Sequence, residues 1–370
     1  MKKSIYNVFS KIMLHNRSAY NMKTRVVTSS EFPYEIQIVA ENLYVPWTIV
    51  ISGEGKLYFT ERSGSIRIIE NGRLNTQPLI IFSSPFISSG EGGLMGIALD
   101  PDYSQNHYIY VMYTYSEGNQ IYNRVVRLVE KNNRADIDKI LIDKIPGGQI
   151  HNGGRIKIGP DKKLYITTGD AGNSILAQDT SSTAGKILRI ELDGNIPTDN
   201  PISNSPIYSL GHRNPQGLTW NSDNILYASE HGQTAHDEIN IIKPGANYGW
   251  PLVQGEETSN ELVIQKPLIH SGDDTWAPAG IAFINQGQDK GKLLVATLRG
   301  EQLLAISLNR KGTVVKGTES WLRNEYGRLR EVIQGNDGSI YITTSNRDGR
   351  GNPNIADDRI MRLIPKSGGM

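Results

Sequence analysis

Two short runs decide the fold: KKLYITT (Lys162–Thr168) and, after a polar glycine-containing stretch, KILRI (Lys186–Ile190). Both alternate apolar with polar residues and are rich in β-branched and aromatic side chains, which marks strands. The couple recurs along the chain. The first run returns as GKLYFT (Gly55–Thr60), HYIYVMYT (His107–Thr114), NILYASE (Asn224–Glu230), GKLLVAT (Gly291–Thr297) and GSIYITT (Gly338–Thr344). The second returns as SIRII (Ser65–Ile69), RVVRL (Arg124–Leu128), EINII (Glu238–Ile242), QLLAI (Gln302–Ile306) and RIMRL (Arg359–Leu363). Turn punctuation such as SGEGK, GPDKK and GNDGS separates the runs. Six units spaced by 47–67 residues predict a repeat architecture, an all-β six-bladed β-propeller with four-stranded antiparallel blades around a channel. A pair of β-sandwiches handles the repeated couple poorly. YEIQIVA (Tyr34–Ala40) precedes the first unit and is expected to supply the outer strand of the last blade, closing the ring. The longest insertion, Asn247–Ala277, is expected between units, decorating one face.

Working outward, residues 1–30 read as a flexible extension, 31–366 as a single propeller catalytic domain and 367–370 as a tail. Lys2 and Lys3 could open a signal peptide, but Asn7, Ser10, Lys11, His15 and Arg17 interrupt the apolar residues after them, so no clear signal is read. No apolar run approaches the roughly 18 residues of a membrane span. The net charge of +1 over 370 residues gives no reason to expect nucleic acid as a partner. Absence of cysteine excludes disulfides, thiolate metal sites and a cysteine nucleophile.

A propeller carries no function of its own; the residues that break its repeat do. Loops leading into the innermost strands line the channel mouth, so a site there collects one or two residues from each blade. Five such loops are GEGGLMGIALDPDY (Gly90–Tyr103), IHNGGRIKIGPD (Ile150–Asp161), GHRNPQGLTW (Gly211–Trp220), WAPAGIAF (Trp276–Phe283) and GRLREVIQGNDG (Gly327–Gly338). Their polar residues differ: Glu91, His151, Arg213 with Asn214, and Arg328 with Arg330. Arg328 and Arg330 are two apart and face one side of a strand. They repel unless an anion such as a ligand with several carboxylates sits between them, or else form a solvated rim pair or take partners among nearby Asp residues. His151 is either a hydrogen-bonded structural residue or a general base, because neighbouring cations favour a neutral imidazole. Gly153 and Gly154 permit unusual φ and close backbone approach, which suits a loop pressed against a flat bound group. In SEHGQTAHDEIN (Ser229–Asn240), His231 and His236 lack the spacing of a zinc motif. Asp237, Glu238, Asn240 and the carbonyls around Gly232 favour a hard cation such as Ca²⁺, or else form a polar turn. GEGGLMG is not in a βαβ unit, so its dinucleotide reading fails.

Taken together, HNGGRI, GKILRIELDGNIPTDNP (Gly185–Pro201), GHRNPQGL, SEHG…DEIN, NYGWP (Asn247–Pro251), RLREV and DDRIMRL resemble the soluble pyrroloquinoline quinone (PQQ) dependent aldose sugar dehydrogenases of the glucose/sorbosone dehydrogenase family. The resemblance spans roughly residues 33–365. It implies PQQ- and Ca²⁺-dependent oxidation of aldoses at C1 to lactones, with electrons passed to a soluble acceptor. It implies His151 as the base and Arg213 beside the reactive carbonyls. Asn214, Glu91, Arg299, Arg328, Arg330 and Asn346 fall at cofactor-contact positions. Gly232 and Gln233 would hold the catalytic Ca²⁺ through backbone carbonyls, and Glu238 and Tyr248 a structural Ca²⁺. It further implies a monomer or homodimer working in the periplasm or outside the cell. The chain departs from the family pattern in three places. Glu91 replaces a common Gln, adding a carboxylate that would ligate Ca²⁺ or carry a raised pKa. Arg299 replaces a common Lys, and the last loop has Ser345 and Asn346 where some relatives place an Asp. Two other readings share the fold, a Ca²⁺-dependent lactonase or esterase and a non-catalytic binding module.

Overall fold

The innermost strands of the six sheets, Pro46–Ile51, Leu94–Leu99, Ile156–Ile158, Pro215–Trp220, Pro278–Phe283 and Leu329–Gln334, neighbour one another in a closed ring. They belong to a computed structural model that describes residues 32–366. From each, an antiparallel sheet runs outward in sequence order, as in Ile156–Ile158, Leu164–Thr168, Lys186–Ile190 and Ile207–Leu210 of blade 3. The six-bladed propeller is therefore as expected, and so is its closure. Tyr34–Ala40 pairs antiparallel with Ile360–Pro365, forming the outer edge of blade 6. Phe32, Tyr34 and Trp321 cluster across blades 5 and 6 with ring centroids 5.7–6.0 Å apart. Blade 1 departs slightly, because its outer edge is split between Arg73–Leu74 and Ile80–Ile81, both paired with Ser65–Glu70. The expected N-terminal extension and C-terminal tail lie outside the described residues.

The first runs alternate apolar with polar residues, yet LYFTE, LYITT and LYASE are buried at every position. Each blade is covered on both faces by its neighbours, so polar residues in these strands must find partners inside. Apolar clusters fill the gaps between blades, for instance Leu94, Ile97, Val111 and Val126 with Ile66 and Ile68 between blades 1 and 2. Inside the channel Arg155 is 1% exposed. Its Nε donates to the Gln216 carbonyl at 2.9 Å and its Nη1 to Thr48 Oγ1 at 2.7 Å. It is ion-paired with Glu331, and its guanidinium lies 4.6 Å from the Trp47 ring. Residues of blades 1, 3, 4 and 6 thus meet on one side chain. Removing either charge would strand the other in a low dielectric.

Strand direction puts the lead-in loops and the turns between second and third strands at the same end of the channel. The Asn247–Ala277 insertion does not lie wholly between units: it carries the fourth strand of blade 4, Ile269–His270. Its first residues fold back on blade 3, where Trp250 N–H donates to the Gly211 carbonyl at 3.0 Å. Among the described residues no helix is long and apolar enough to cross a membrane.

Candidate functional site

His151 sits at the mouth with φ 57°, a left-handed backbone. Its N–H donates to Glu91 Oε2 at 2.9 Å, which ties the lead-in loop of blade 3 to that of blade 2. The ring Nδ1 lies 2.7 Å from Asp170 Oδ1, just beyond the second strand of blade 3. Asp170 also accepts the Gly172 N–H and the Trp250 indole N–H, each at 2.8 Å. Burial alone would raise the Asp170 carboxyl; the His151 hydrogen bond and the other donors override it and hold it below its ordinary value. An ionised carboxylate can only accept, so Nδ1 is the donor, and in the neutral ring the lone pair is then on Nε2. Among the described residues nothing bonds to Nε2. The side chain is 12% exposed, so this nitrogen is sheltered but reachable.

The two glycines after it do a different job from the one expected. A Cβ on Gly153 would lie 2.5 Å from the Thr167 carbonyl oxygen, and one on Gly154 would lie 2.7 Å from Met95 Sδ and 3.1 Å from the Trp47 ring. With φ 63° and 106°, they let the loop lie against the protein's own blades, rather than making room for a flat ligand.

Arg213 leaves the lead-in loop of blade 4 over the Trp250 ring, 5.4 Å from its centroid. Burial lowers its pKa against the opposing pull of Asp170 and Glu91, and its Nε is buried without a partner among the described residues. Asn214 is fully buried. Its Oδ1 accepts the Gly153 N–H at 3.0 Å while its Nδ2 has no partner among the described residues. His231 lies beside them. Burial, then Arg213, Arg330 and His151, push its pKa down to about 3. A base that weak is poorly matched to neutral pH, which leaves His151 as the better candidate. His236 stacks on His270 with centroids 5.8 Å apart, so His231 and His236 do not form the pair a zinc reading needs. Among the described residues no three His, Cys, Asp or Glu side chains converge as metal ligands.

Arg328 and Arg330 face one side, as their spacing predicts, and an aspartate lies between them. Arg328 Nε and Nη2 are each 2.9 Å from Asp348 Oδ2, and Arg330 Nη2 is 3.4 Å from the same oxygen. Arg330 Nε also donates to Ser345 Oγ at 2.9 Å. The last loop therefore does carry an acidic residue, a few positions beyond where the family pattern puts it. Burial lowers Arg330 to about 10, and Arg62 and Arg328 press in the same direction against Asp348. Arg62, just after the second strand of blade 1, reaches the Asp348 carbonyl with Nη2 at 3.2 Å.

The Asn346 side chain is engaged within the protein. Its Oδ1 accepts the Arg328 N–H at 2.9 Å, and its two amide hydrogens go to the Tyr326 carbonyl at 2.9 Å and Asp357 at 3.0 Å. Glu91 is likewise engaged, with Arg350 2.8 Å from Oε1. Burial would raise its pKa, but the His151 N–H and the surrounding positive groups hold it below the ordinary value, contrary to the raised pKa considered for it. Arg299, on the turn between Lys292–Thr297 and Gln302–Leu308, is exposed at the rim.

Beside Arg213 the turn after Leu226–Glu230 is knitted by Asp237. Its Oδ1 accepts the Gly232 N–H at 2.9 Å and its Oδ2 the N–H groups of Trp276 and Ala277 at 2.6 and 2.8 Å. Among the described residues no donor engages the Gly232 or Gln233 carbonyl. Glu238 lies opposite Glu230 across two strands. Burial first, then Glu230, push Glu238 up to about 7. The Tyr248 hydroxyl is spent between the Ile241 carbonyl, 2.7 Å, and the Lys243 N–H, 2.9 Å, so only its backbone could reach an ion. A small cavity lined by Arg213, Glu230, His231, Glu238, Tyr248 and Trp250 joins this region to the mouth.

Sequence reasoning missed Asp170, Trp250, Arg62 and Asp348. Asp170 follows Gly169 just past the apolar run, and Arg62 ends the equivalent run of blade 1, so strand-end polar residues were a usable signal. Trp250 sat inside the NYGWP motif and received no role.

The family profile described as Glucose / Sorbosone dehydrogenase matches residues 43–361. The aldose sugar dehydrogenase YliI of Escherichia coli (strain K12) is 29% identical, over 85% of this chain and 91% of that protein. The quinoprotein glucose dehydrogenase B of Acinetobacter calcoaceticus is 35% identical, over 60% of this chain and 53% of that protein. A solved structure of the PQQ-bound form of an aldose sugar dehydrogenase from Streptomyces coelicolor is 39% identical, covers 90% of this chain and 98% of that one, and superposes with a TM-score of 0.81. With the propeller and its mouth described, this chain belongs to the glucose/sorbosone dehydrogenase family.

Proposed function

We propose that this protein is a PQQ-dependent sugar dehydrogenase that oxidises aldoses at C1 to lactones, using Ca²⁺ and passing electrons to a soluble acceptor. The observation that carries the reading is a buried His151–Asp170 pair whose free Nε2 faces a mouth walled by arginines with unspent donors. The residues present fit the cofactor. Its carboxylates suit Arg328 and Arg330, and the buried, unpartnered Arg213 Nε and Asn214 Nδ2 suit its polar edge. Arg299, exposed at the rim, would approach the same ligand, and Glu91, which holds the His151 loop, would border it. The free carbonyls of Gly232 and Gln233 suit a hard cation, and Glu238 with the Tyr248 backbone suits a second. When bound, PQQ supplies the two-electron acceptor for the C1 hydride.

The chain's own residues do the rest. Nε2 of His151 takes the proton of the sugar C1 hydroxyl, and Asp170 stabilises the imidazolium that results. Trp250 holds Asp170 in place through its indole N–H and forms a flat wall under Arg213. The Arg213 guanidinium is half-buried with its Nε fully enclosed, so charge developing beside it is stabilised by a donor held in place before the reaction.

Titration of the protein with PQQ and Ca²⁺, followed in the ultraviolet and visible, tests this. Binding should change the quinone spectrum, and a panel of aldoses should then reduce a soluble dye. No spectral change and no dye reduction with any aldose would overturn the reading.

A further inference from the structure

Arg62 is a buried cation without a counter-ion. It follows Leu57–Glu61 at the mouth and is 9% exposed. Its N–H donates to the Val45 carbonyl and its carbonyl accepts the Leu94 N–H, each at 3.1 Å, so its backbone is fixed between the lead-ins of blades 1 and 2. No carboxylate pairs with it among the described residues. Its guanidinium meets only the neutral Asp348 carbonyl, at 3.2 Å, and its Nε is buried with no partner. A guanidinium kept so is costly unless an anion arrives.

The same residue 348 anchors the other two arginines. One oxygen, Asp348 Oδ2, serves Arg328 at 2.9 Å, Arg330 at 3.4 Å and the Ser345 hydroxyl at 3.1 Å. The other, Oδ1, accepts the Arg350 N–H at 2.9 Å. Three guanidiniums therefore converge on one residue, two on its carboxylate and Arg62 on its carbonyl, an excess of two positive charges. The next acid, Glu91, is paired with Arg350. Asp348 itself sits on the turn 346–350, outside any strand. Burial would raise it, yet Arg330 and Arg328 hold it ionised below its ordinary value.

We infer that Arg62 is a third cation of the anion site, and that Asp348 is a resident counter-ion which an incoming ligand carboxylate replaces between Arg328 and Arg330. In the absence of ligand, Asp348 keeps two like charges in place; on binding it competes for them. A ligand with several carboxylates supplies the charge that Asp348 alone does not. This rests on the PQQ reading above and adds residues to it.

The two residues give opposite signs in one equilibrium measurement. PQQ Kd is read from the ultraviolet–visible titration without sugar, with thermal melting to confirm folding. Arg62→Met should weaken binding about 10- to 100-fold, with Arg62→Lys falling between it and the wild type. Asp348→Asn should tighten binding about tenfold. Wild-type affinity in Arg62→Met, or weaker binding in folded Asp348→Asn, overturns the inference while the PQQ reading stands. If Asp348→Asn does not fold, Arg62→Met and Arg62→Lys decide alone. If the wild type itself does not bind PQQ, that reading fails and citrate replaces it as the probe. A citrate-induced rise in melting temperature that is lost in Arg62→Met then supports the three-arginine site, and an equal rise in both proteins overturns it.

Discussion

Two histidines in neighbouring lead-in loops make the same bond and differ at the second nitrogen. His151 pairs through Nδ1 with Asp170 at 2.7 Å, and His212 through Nδ1 with Glu230 at 2.8 Å. Each carboxylate stands at the end of the second strand of its blade. The second nitrogen separates them. His212 is fully buried, its Nε2 is 2.8 Å from Ser209 Oγ, and its ring stacks on Tyr248 with centroids 4.6 Å apart. The Nε2 of His151 is left free beside buried arginines. A histidine–carboxylate pair is therefore not in itself a base. It becomes one where the far nitrogen is unspent and reachable.

The contrast is most strongly tested by His151→Ala. Turnover should fall by about 10²- to 10⁴-fold, with PQQ affinity within a few-fold of wild type and little change in stability. Asp170→Asn should come next, with kcat down on the order of 10²-fold, because an amide no longer fixes the proton on Nδ1. In His212→Ala the loss should appear in stability instead, by about 3 kcal/mol on denaturant unfolding, since Glu230 would lose a buried donor. If His151→Ala destabilised the protein as much as His212→Ala, the distinction between the two would collapse.

The smallest effect is on acid stability. The folded Asp170 carboxyl lies below its unfolded value, so its contribution is present at neutral pH and is lost as pH falls through that lowered value. Unfolding curves of Asp170→Asn should therefore depend less on pH below about 4 than those of the wild type. An unchanged dependence would mean that the His151–Asp170 bond adds nothing to the folded state.

These pairings also explain how much was legible before the fold was known. The repeated strand couples and the closing strand were legible because a blade is a local unit, each strand pairing with the next in sequence. Arg328 and Arg330 were legible because strand periodicity is local too. Their counter-ion was not: Asp348 is held by a loop whose position depends on long-range contacts, such as the one Arg62 makes across 286 residues. Asp170 closes its strand run, yet nothing in the sequence aims it at an imidazole 19 residues earlier. Gly153 and Gly154 are sites of close approach, as their sequence suggests, but the approaching surface is the protein's own. Asn346 was placed at the cofactor by resemblance, and the structure commits its amide to the Tyr326–Asp357 loop region instead.

The proposed chemistry turns on one nitrogen. The direct measurement is a stopped-flow record of the quinone spectrum when an aldose is mixed with PQQ- and Ca²⁺-loaded His151→Ala, beside wild type. A base at His151 Nε2 predicts the same starting spectrum in both, a fast sugar-induced change in wild type and a change at least about 10²-fold slower in the variant. A change at the wild-type rate would contradict it.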